Sequence, residues 1–388
     1  MPGWELIDNK ELNEIKKIFS QSNGVLFAHG FDERRKNIFR VRNLERDFSK
    51  KFSCSHSLMT TSGTMAQYVA MKSIGIKPGD EVITQAFTFV ATVEAILALG
   101  AIPKIVDIDE SYNLDPVALE NSITKKTKMI IPVHMLGNPC RMDKILMIAK
   151  KYKIPVLEDA CEALGGKYKN KFLGTIGDIG VFSLDFGKVI TTGEGGLICT
   201  NNKSIDKFCR EFIDHGHILK KNIPRGNDQR SMPGLNLRMS ETQASIGLAQ
   251  LKKLDVILKL NKKNKFRLKS QIRTMDKIKF RKITDYEGEI ADTLIFSFEN
   301  KKFCNKFLKK YLRKYSTKNI PDALKWHFSG YWKNMFSTKS EYYKNWQTNW
   351  KFSRNLLERS VALSILVKDN NRKIDEHVND INKILYDL

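Results

Sequence analysis

The feature that most restricts the fold of this sequence is the alternation of short apolar segments with amphipathic segments over residues 51–250. Strands that alternate with amphipathic helices build a parallel or mixed sheet whose two faces are both covered by helices. We therefore predict such a sheet for this part of the chain. The predicted strands are EVITQAFTFVA, IPKIVDI, MIIPVHML, IPVLEDA, IGVFSLDF and GLICTNN.

The two flanking regions have a different pattern. Residues 1–50 are charged and are predicted to be mostly helical, and a long charged helix follows near Leu251. Residues 251–388 are predicted to be rich in helices, with a few strands such as DTLIFSFE. The 388 residues suffice for two or three domains and a large buried core. We predict an α/β protein with a large domain over residues 1–250, including the N-terminal helical segment, and a smaller C-terminal domain over residues 251–388.

The composition excludes several classes of protein. Hydrophobic residues make up 41% of the chain and aromatic residues 10%, which is typical of a globular protein. The first residues contain no apolar signal region, and no apolar run reaches the roughly 18 residues that a membrane helix needs. The six cysteines form no CxxC pair and have no metal-site spacing with histidine. We therefore expect a cytoplasmic protein with reduced thiols, no metal and no membrane association.

The positive charge is unevenly distributed. The net charge is +23, and residues 251–388 hold 32 basic and 15 acidic residues, against 34 and 28 in residues 1–250. This excess has two interpretations, a solvated lysine-rich surface or the attraction of an anionic partner. Four of the five tryptophans lie between Trp326 and Phe352 among lysines, a composition that also suits nucleic-acid bases. No nucleic-acid-binding module and no helix-turn-helix extension is recognisable, so no nucleic-acid partner is expected.

Reactive side chains follow the ends of the predicted strands, where ligands bind in sheets of this kind. The strand IPVLED ends in Glu158 and Asp159, and the strand IGVFSLDF ends just before Lys188. A third element, TTSGTMAQYVAMKSIG, places Ser-Gly-Thr at the start of an amphipathic helix. The free N–H groups and the positive dipole end of a helix N-terminus bind phosphate well, although Ser or Thr at this position is often only a helix cap.

Together these three features satisfy the requirements of pyridoxal 5′-phosphate. The cofactor needs a lysine that forms a Schiff base with its aldehyde, and a carboxylate that keeps its pyridine nitrogen protonated. Its phosphate needs an anion-binding cradle. A flat side chain against the ring completes such a site, and either Phe87 or Phe89 at another strand end supplies one.

These motifs resemble those of a known family. TTSGTMA, GDEVITQAFTFVATVEAI, GAIPKIVDID, LEDACEALGG, FSLDFGKVITTGEGGLICTNN and GLNLRMSETQASIGLAQLKKLD are similar to the DegT/StrS sugar aminotransferases, over roughly residues 20–260. The resemblance implies the PLP-transferase fold type I, with a mixed sheet sandwiched by helices and a smaller C-terminal α+β domain. It also implies a homodimer with shared active sites and transamination from L-glutamate to an oxidised sugar.

The resemblance assigns roles to individual residues. Lys188 matches the Schiff-base lysine and would also move the proton during catalysis, Asp159 matches the partner of the pyridine nitrogen, and Phe89 matches the stacking aromatic. One branch of the family replaces the lysine with histidine and performs a deoxygenation, and Lys188 argues against that branch. The implied cofactor-binding residues are Gly63, Thr64, Phe89, Asp159, Glu162, Ser183, Lys188 and Asn236.

Two of these residues have particular implied positions. Asn236, in GLNLRMS, matches an asparagine that reaches the phosphate from the neighbouring subunit. Glu162 occupies the position near the cofactor's phenolic oxygen where many relatives have glutamine or histidine, so a carboxylate there is a departure from the common pattern.

The sugar acceptor is expected to be anionic. MPGWEL, the Arg-rich stretch near residues 33–46, the IDHGH segment and the Trp-rich C-terminal segment resemble the subgroup that aminates 8-oxo-Kdo to 8-amino-3,8-dideoxy-octulosonate for lipopolysaccharide. The alternative is a nucleotide-linked keto-deoxyhexose. Candidate substrate contacts are Arg238, His215, His217 and Trp326. We interpret His215-Gly216-His217 as a loop with poor metal geometry, and Asp107-Ile108-Asp109 as a strand-end loop.

Overall fold

The computed structural model describes residues 3–218, 220, 223, 225–273, 277–338 and 340–388. The strands are β1 (His56–Thr60), β2 (Glu81–Gln85), β3 (Ile102–Val106), β4 (Thr127–Ile131), β5 (Leu157–Asp159), β6 (Lys167–Tyr168), β7 (Lys171–Phe172), β8 (Ile179–Ser183), β9 (Gly196–Thr200), β10 (Ile278–Phe280), β11 (Thr293–Phe298) and β12 (Ser360–Ser364).

The helices surround these strands. They are α1 (Asn9–Ser22), α2 (Arg40–Phe52), α3 (Gly63–Ser73), α4 (Val90–Ala98), α5 (Pro116–Ser122), α6 (Met142–Tyr152), α7 (Lys203–Phe212), α8 (Glu241–Gln271), α9 (Lys301–Tyr311), α10 (Leu324–His327), α11 (Glu341–Lys344), α12 (Lys351–Glu358) and α13 (Asn371–Tyr386).

The predicted mixed sheet is confirmed. Strands β1, β9, β8 and β5 form one set of hydrogen-bonded strands, and β3, β2 and β4 form another. Single parallel bridges between Ile130 and Val156 and between Val133 and Asp159 join β4 to β5. The order of the large sheet is therefore β1-β9-β8-β5-β4-β2-β3. Strand β9 is antiparallel to β1 and β8, and the other pairs are parallel.

Apolar side chains fill both faces of this sheet. Successive strand residues point to opposite faces, and Val82 belongs to one apolar cluster whereas Ile83 belongs to the other. The first cluster includes residues of α3, α4 and α7, and the second includes residues of α2, α6 and α8. Helices thus cover the sheet on both sides, which leaves the ends of its strands as the place for a ligand.

One predicted strand is shorter than expected. EVITQAFTFVA was expected to be a single strand, but β2 ends at Gln85 and α4 already begins at Val90. Ala86 still donates to the carbonyl of Val106, after which the chain leaves the sheet. Phe89 has an extended backbone and is the N-cap of α4, so its side chain lies at the strand end.

A second, antiparallel sheet lies in the C-terminal part of the chain. Its order is β10-β11-β12, and it packs with α9, α13 and the last turns of α8 through residues such as Phe296, Phe307 and Ile381. Helix α8 continues from the large sheet to this small sheet without interruption, and the predicted domain boundary at residue 250 falls within it.

The aromatic-rich segment after residue 324 packs against the large sheet. Phe328 pairs with Phe87 in an isolated bridge. The Trp350 indole N–H donates to the carbonyl of Ile105 at 2.9 Å, and the N–H of Ile105 donates to the Tyr342 hydroxyl at 2.8 Å. Most of these rings therefore pack in the core, whereas Trp326, Tyr331 and Phe352 are exposed.

The described ranges contain neither a membrane-spanning helix nor a metal-binding cluster. No helix there is long and apolar enough to cross a membrane. Likewise, no group of three or more histidine, cysteine, aspartate or glutamate residues in these ranges is arranged to hold a metal ion. All six cysteines are free thiols, as predicted.

Candidate active site

A cleft of about 350 Å³ opens where β5 and β8 end beside the start of α3 and of α4. Seven of the predicted site residues line it, namely Gly63, Thr64, Phe89, Asp159, Glu162, Ser183 and Lys188. They come from four separate stretches of the chain, which the order of the sheet brings to one edge.

The start of α3 forms one wall of the cleft. The Ser62 hydroxyl accepts from the N–H of Met65, while the first N–H groups of a helix, here those of Gly63 and Thr64, have no partner within the helix. A Cβ on Gly63 would lie 2.9 Å from Cβ of Ser183 and 3.1 Å from Sγ of Cys161. Glycine at this position lets the positive end of α3 approach β8, which creates a cradle for an anion.

Asp159, the last residue of β5, forms a second wall. Its side chain is buried, and three donors fix the orientation of its carboxylate. The Gln67 amide and the Thr92 hydroxyl donate to Oδ2 at 2.9 and 2.8 Å, and the N–H of Cys161 donates to Oδ1 at 3.1 Å. The cleft therefore contains a carboxylate that is held rigidly by its own neighbours.

Lys188 reaches the cleft from the loop between β8 and β9. Its Nζ lies 3.8 Å from Oε1 of Glu162 and 5.9 Å from the centre of the Phe89 ring. Burial by itself lowers the pKa of Lys188, but the negative charges of Glu162, Asp185 and Asp159 outweigh burial, so the pKa is raised above its usual value. The amine is therefore held as an ammonium when nothing is bound to it.

The glycines around Lys188 are explained by close backbone contacts. A Cβ on Gly196 would lie 2.1 Å from the carbonyl oxygen of Ser62, so glycine is needed for β9 to pass the start of α3. Gly193 has a φ of 84°, a conformation that other residues rarely adopt. These glycines bring the lysine loop and the anion cradle together.

Glu162 connects the lysine to the opposite side of the cleft. Its Oε2 accepts from the N–H of Leu136 at 2.9 Å, and its Oε1 lies 3.9 Å from Nε2 of His327. Burial raises the pKa of Glu162, but the positive charge of Lys188 above all, helped by Lys318, holds it below its usual value. A carboxylate ion therefore faces Lys188.

The residues of the cleft that sequence reasoning missed include Gln67, Thr92, Asn319 and His327. Gln67 has a recognisable signal, because it lies one turn after Gly63 on the capped end of α3. Asn319 and His327 lack such a signal, since they come from a segment remote in sequence. The Nδ1 of His327 lies 2.8 Å from the carbonyl of Ala323 and donates to it, which leaves Nε2 facing Glu162.

The other predicted contacts lie outside this cleft. Asn236 is exposed and pairs with Asp214, whereas Arg238 forms an ion pair with Asp214. His215 is exposed, and Nδ1 of His217 lies 3.5 Å from Oδ2 of Asp228. Trp326 is 61% exposed beside His327. None of the five lines the cleft that a single chain forms, so their predicted contacts stay predictions.

The positive charge of residues 251–388 does not face the cleft. Among the described residues, this region contributes only Asn319 and His327 to the lining. Lys318, next to Asn319, is buried in an ion pair with Asp292 at 2.7 Å. Among the described residues of one chain, the lysine that lines the cleft is Lys188. This favours the interpretation of the lysines of residues 251–388 as solvated surface.

Part of the chain is similar in sequence to curated proteins. The chain is 39% identical over 216 residues to GDP-perosamine synthase of Escherichia coli O157:H7, and the match covers 55% of this chain and 58% of that protein. The match therefore spans less than two thirds of the relative's length.

Solved structures match over nearly the whole chain and show the fold. The aminotransferase of Psychrobacter cryohalolentis superposes with a TM-score of 0.85 at 24% identity, covering 99% of this chain and 98% of that one. NtdA of Bacillus subtilis, solved with bound cofactor PMP, superposes with a TM-score of 0.82 at 23% identity, covering 98% and 83%. The sequence pattern of one family matches residues 36–381. The chain thus belongs to the DegT/DnrJ/EryC1/StrS aminotransferase family.

Proposed function

We propose that the protein transfers the amino group of L-glutamate to a carbonyl carbon of an anionic sugar, with pyridoxal 5′-phosphate as its cofactor. The observation that carries this proposal is the meeting of Lys188, Asp159 and the start of α3 in one cleft. Family membership and the PMP in the Bacillus subtilis structure support the choice of cofactor.

The residues of the cleft fit the cofactor. The N–H groups of Gly63 and Thr64 and the hydroxyl of Ser183 would hold the phosphate, since the start of α3 carries partial positive charge. Asp159 would pair with the pyridine nitrogen, and Phe89 would lie against the ring. Bound pyridoxal 5′-phosphate supplies an electron sink that stabilises negative charge on the carbon that loses a proton.

Lys188 would perform two tasks. Its Nζ would hold the cofactor covalently before the amino donor arrives. Once the donor is bound, the same Nζ would take the proton from the α-carbon of glutamate as general base and later give it back as general acid. Glu162 lies 3.8 Å from this nitrogen and stabilises its protonated form. The two halves of the reaction use the same atoms in opposite order, so donor and acceptor alternate in the cleft.

The cleft of one chain offers few groups for an anionic substrate, which supports a shared site. Asn236 and Arg238 lie on a segment outside the cleft of their own chain. In the proposed cytoplasmic homodimer, this segment would reach the phosphate end of the partner's cleft. Two chains would then complete each site.

Two acceptors are proposed. The subgroup motifs favour 8-oxo-Kdo, whose amination gives 8-amino-3,8-dideoxy-octulosonate for lipopolysaccharide. The second acceptor is a nucleotide-linked keto-deoxyhexose, and the observation that favours it is the 39% identity to GDP-perosamine synthase. The two differ in where the negative charge lies, at a carboxylate beside the ring or at a diphosphate.

The test separates the two half-reactions. Cofactor-loaded protein is mixed with L-glutamate, and 2-oxoglutarate is measured per site. The resulting pyridoxamine form then receives 8-oxo-Kdo or GDP-4-keto-6-deoxymannose, and kcat/KM is compared. A higher value for the sugar acid supports the first acceptor, and a higher value for the nucleotide sugar supports the second. Absence of 2-oxoglutarate, with Lys188→Ala as the matched blank, overturns the proposal of transamination.

A further inference from the structure

The segment Gly3–Leu6, which we call the strap, lies against the loop that carries Lys188. The N–H of Gly3 donates to the carbonyl oxygen of Lys188 at 3.0 Å. The Trp4 ring stacks on Phe186, with ring centres 6.4 Å apart and an interplanar angle of 24°. The strap therefore contacts the main chain of the lysine and a side chain two residues before it.

Only glycine fits at the point of contact. A Cβ on Gly3 would lie 2.8 Å from the carbonyl oxygen of Lys188 and 2.9 Å from the carbonyl carbon of Ile190. Both neighbours are backbone atoms, which cannot turn away as a flexible side chain can. The close approach of the strap to the lysine loop thus depends on the missing side chain of Gly3.

The other end of the strap is attached to the C-terminal part of the chain. Glu5 is buried, and its Oε2 accepts from the N–H of Lys368, which follows β12. The carbonyl of Leu6 accepts from Nζ of Lys253 on α8 at 2.5 Å. Trp4 also lines a cavity with Tyr315 and other residues near the small sheet. Four residues thus connect the lysine loop with the region around the small sheet.

The attachment at Glu5 is incomplete. Its Oε1 is buried and has no hydrogen-bond partner among the described residues. A buried carboxylate oxygen without a partner is costly. The hydrogen bond from Lys368 to Oε2 is therefore the contact that ties Glu5 to the segment after β12.

We propose that the strap positions Lys188: by holding the lysine's carbonyl at one end and Lys368 at the other, it sets the position of the Lys188 amine according to that of the small sheet. This inference rests on the proposed role of Lys188 in aminotransfer. The strap touches the main chain of Lys188 and acts on the reaction only through it, so its residues are positioning residues.

The test compares variants at the two ends of the strap. Gly3→Ala forces the strap away from Lys188, and Glu5→Ala removes its attachment to Lys368, whereas Glu5→Gln keeps an oxygen that accepts the same hydrogen bond. Gly226→Ala is the matched control, because a Cβ on Gly226 meets no atom within 4 Å. In single-turnover experiments with L-glutamate, we expect Gly3→Ala and Glu5→Ala to slow the reaction by about 10- to 100-fold. Glu5→Gln and Gly226→Ala should react like the unaltered protein.

A second readout needs no turnover. In the cofactor-free protein, the rate at which acetic anhydride modifies Lys188 is followed by mass spectrometry as a function of pH. We expect this profile to change in Gly3→Ala and Glu5→Ala but not in the two controls. Lower thermal stability of these variants with an unchanged profile and unchanged turnover would overturn the proposal, because the strap would then act on stability alone.

The two readouts also separate this inference from the proposed function. If the unaltered protein fails to react with L-glutamate, the proposed function fails, and the acetylation profile still tests the strap. If Gly3→Ala does not fold, Trp4→Ala takes its place, since it removes the ring that stacks on Phe186 and lines the cavity beside Tyr315. An unchanged profile and unchanged turnover in folded Trp4→Ala and Glu5→Ala would equally overturn the proposal.

Discussion

Glu162→Gln should lower the pKa of Lys188. The two charged groups are 3.8 Å apart, and the carboxylate is buried. At this distance, two unit charges interact by about 4 kcal/mol for an effective dielectric constant of about 20, which corresponds to about 3 pKa units as an upper value. Opposite charges within about 4–6 Å commonly shift a pKa by 1–3 units. We therefore expect a fall of about 1–3 units, while burial continues to lower the pKa.

The assay is the pH dependence of Lys188 acetylation in the cofactor-free protein. Only the neutral amine reacts, so a lower pKa moves the midpoint to lower pH and speeds acetylation below that midpoint. The matched control is Glu289→Gln, which removes a partly buried carboxylate paired with Lys265 elsewhere in the chain. An unchanged midpoint in Glu162→Gln, or an equal shift in the control, would refute the electrostatic reasoning.

Three further predictions concern stability and the cofactor ring. Lys318→Met leaves the carboxylate of Asp292 buried without its partner at 2.7 Å, and denaturant unfolding should show a loss of about 3–5 kcal/mol, against less than about 1 kcal/mol for the exposed Lys301→Met. Burial lowers the pKa of His377 to about 4. Between about pH 6.5 and 4 the unfolded chain therefore binds a proton that the folded chain does not. As the pH is lowered through this window, the free energy of unfolding decreases by up to about 1.4 kcal/mol per pH unit. His377→Gln should remove this fall when unfolding is measured at pH 7 and pH 5. Asp159→Asn should lower kcat/KM by about 10- to 100-fold through the loss of a charged hydrogen bond worth about 1.5–3 kcal/mol.

The sheet could be predicted because its signal is local. Each buried strand is a short apolar run between helical patterns, and all six predicted runs overlap an observed strand, namely β2, β3, β4, β5, β8 and β9. EVITQAFTFVA was too long because apolar content alone does not show where a strand leaves the sheet. The residues after Gln85 remain buried, but they pack under Phe328 from a remote segment.

The site residues that lie near a strand end or a helix start could also be predicted from the sequence. Asp159, Lys188 and Gly63 each follow such a signal. Asn319 and His327 could not be found this way, because their place depends on how the segment after β11 folds back across the large sheet. The same fold-back buries Trp332 and Trp350, which the sequence alone presents as candidates for an exposed aromatic surface.

The role of the basic residues could not be decided from the sequence for a related reason. Charged residues can be counted along the chain, but whether each side chain points inward or into solvent depends on packing. Lys318 turns inward to Asp292, and other lysines of the C-terminal region form exposed ion pairs, such as Lys301 with Glu358. No regularity in the sequence separates these two environments.

We propose that Lys188 binds the cofactor covalently. The most direct measurement is to load the protein with pyridoxal 5′-phosphate, reduce it with borohydride, digest it and locate the pyridoxyl group by mass spectrometry. We predict one stoichiometric modification at Lys188, and none in Lys188→Ala protein that remains folded. Stoichiometric modification of a different lysine, or unchanged labelling of the Lys188→Ala protein, would show that Lys188 does not hold the cofactor.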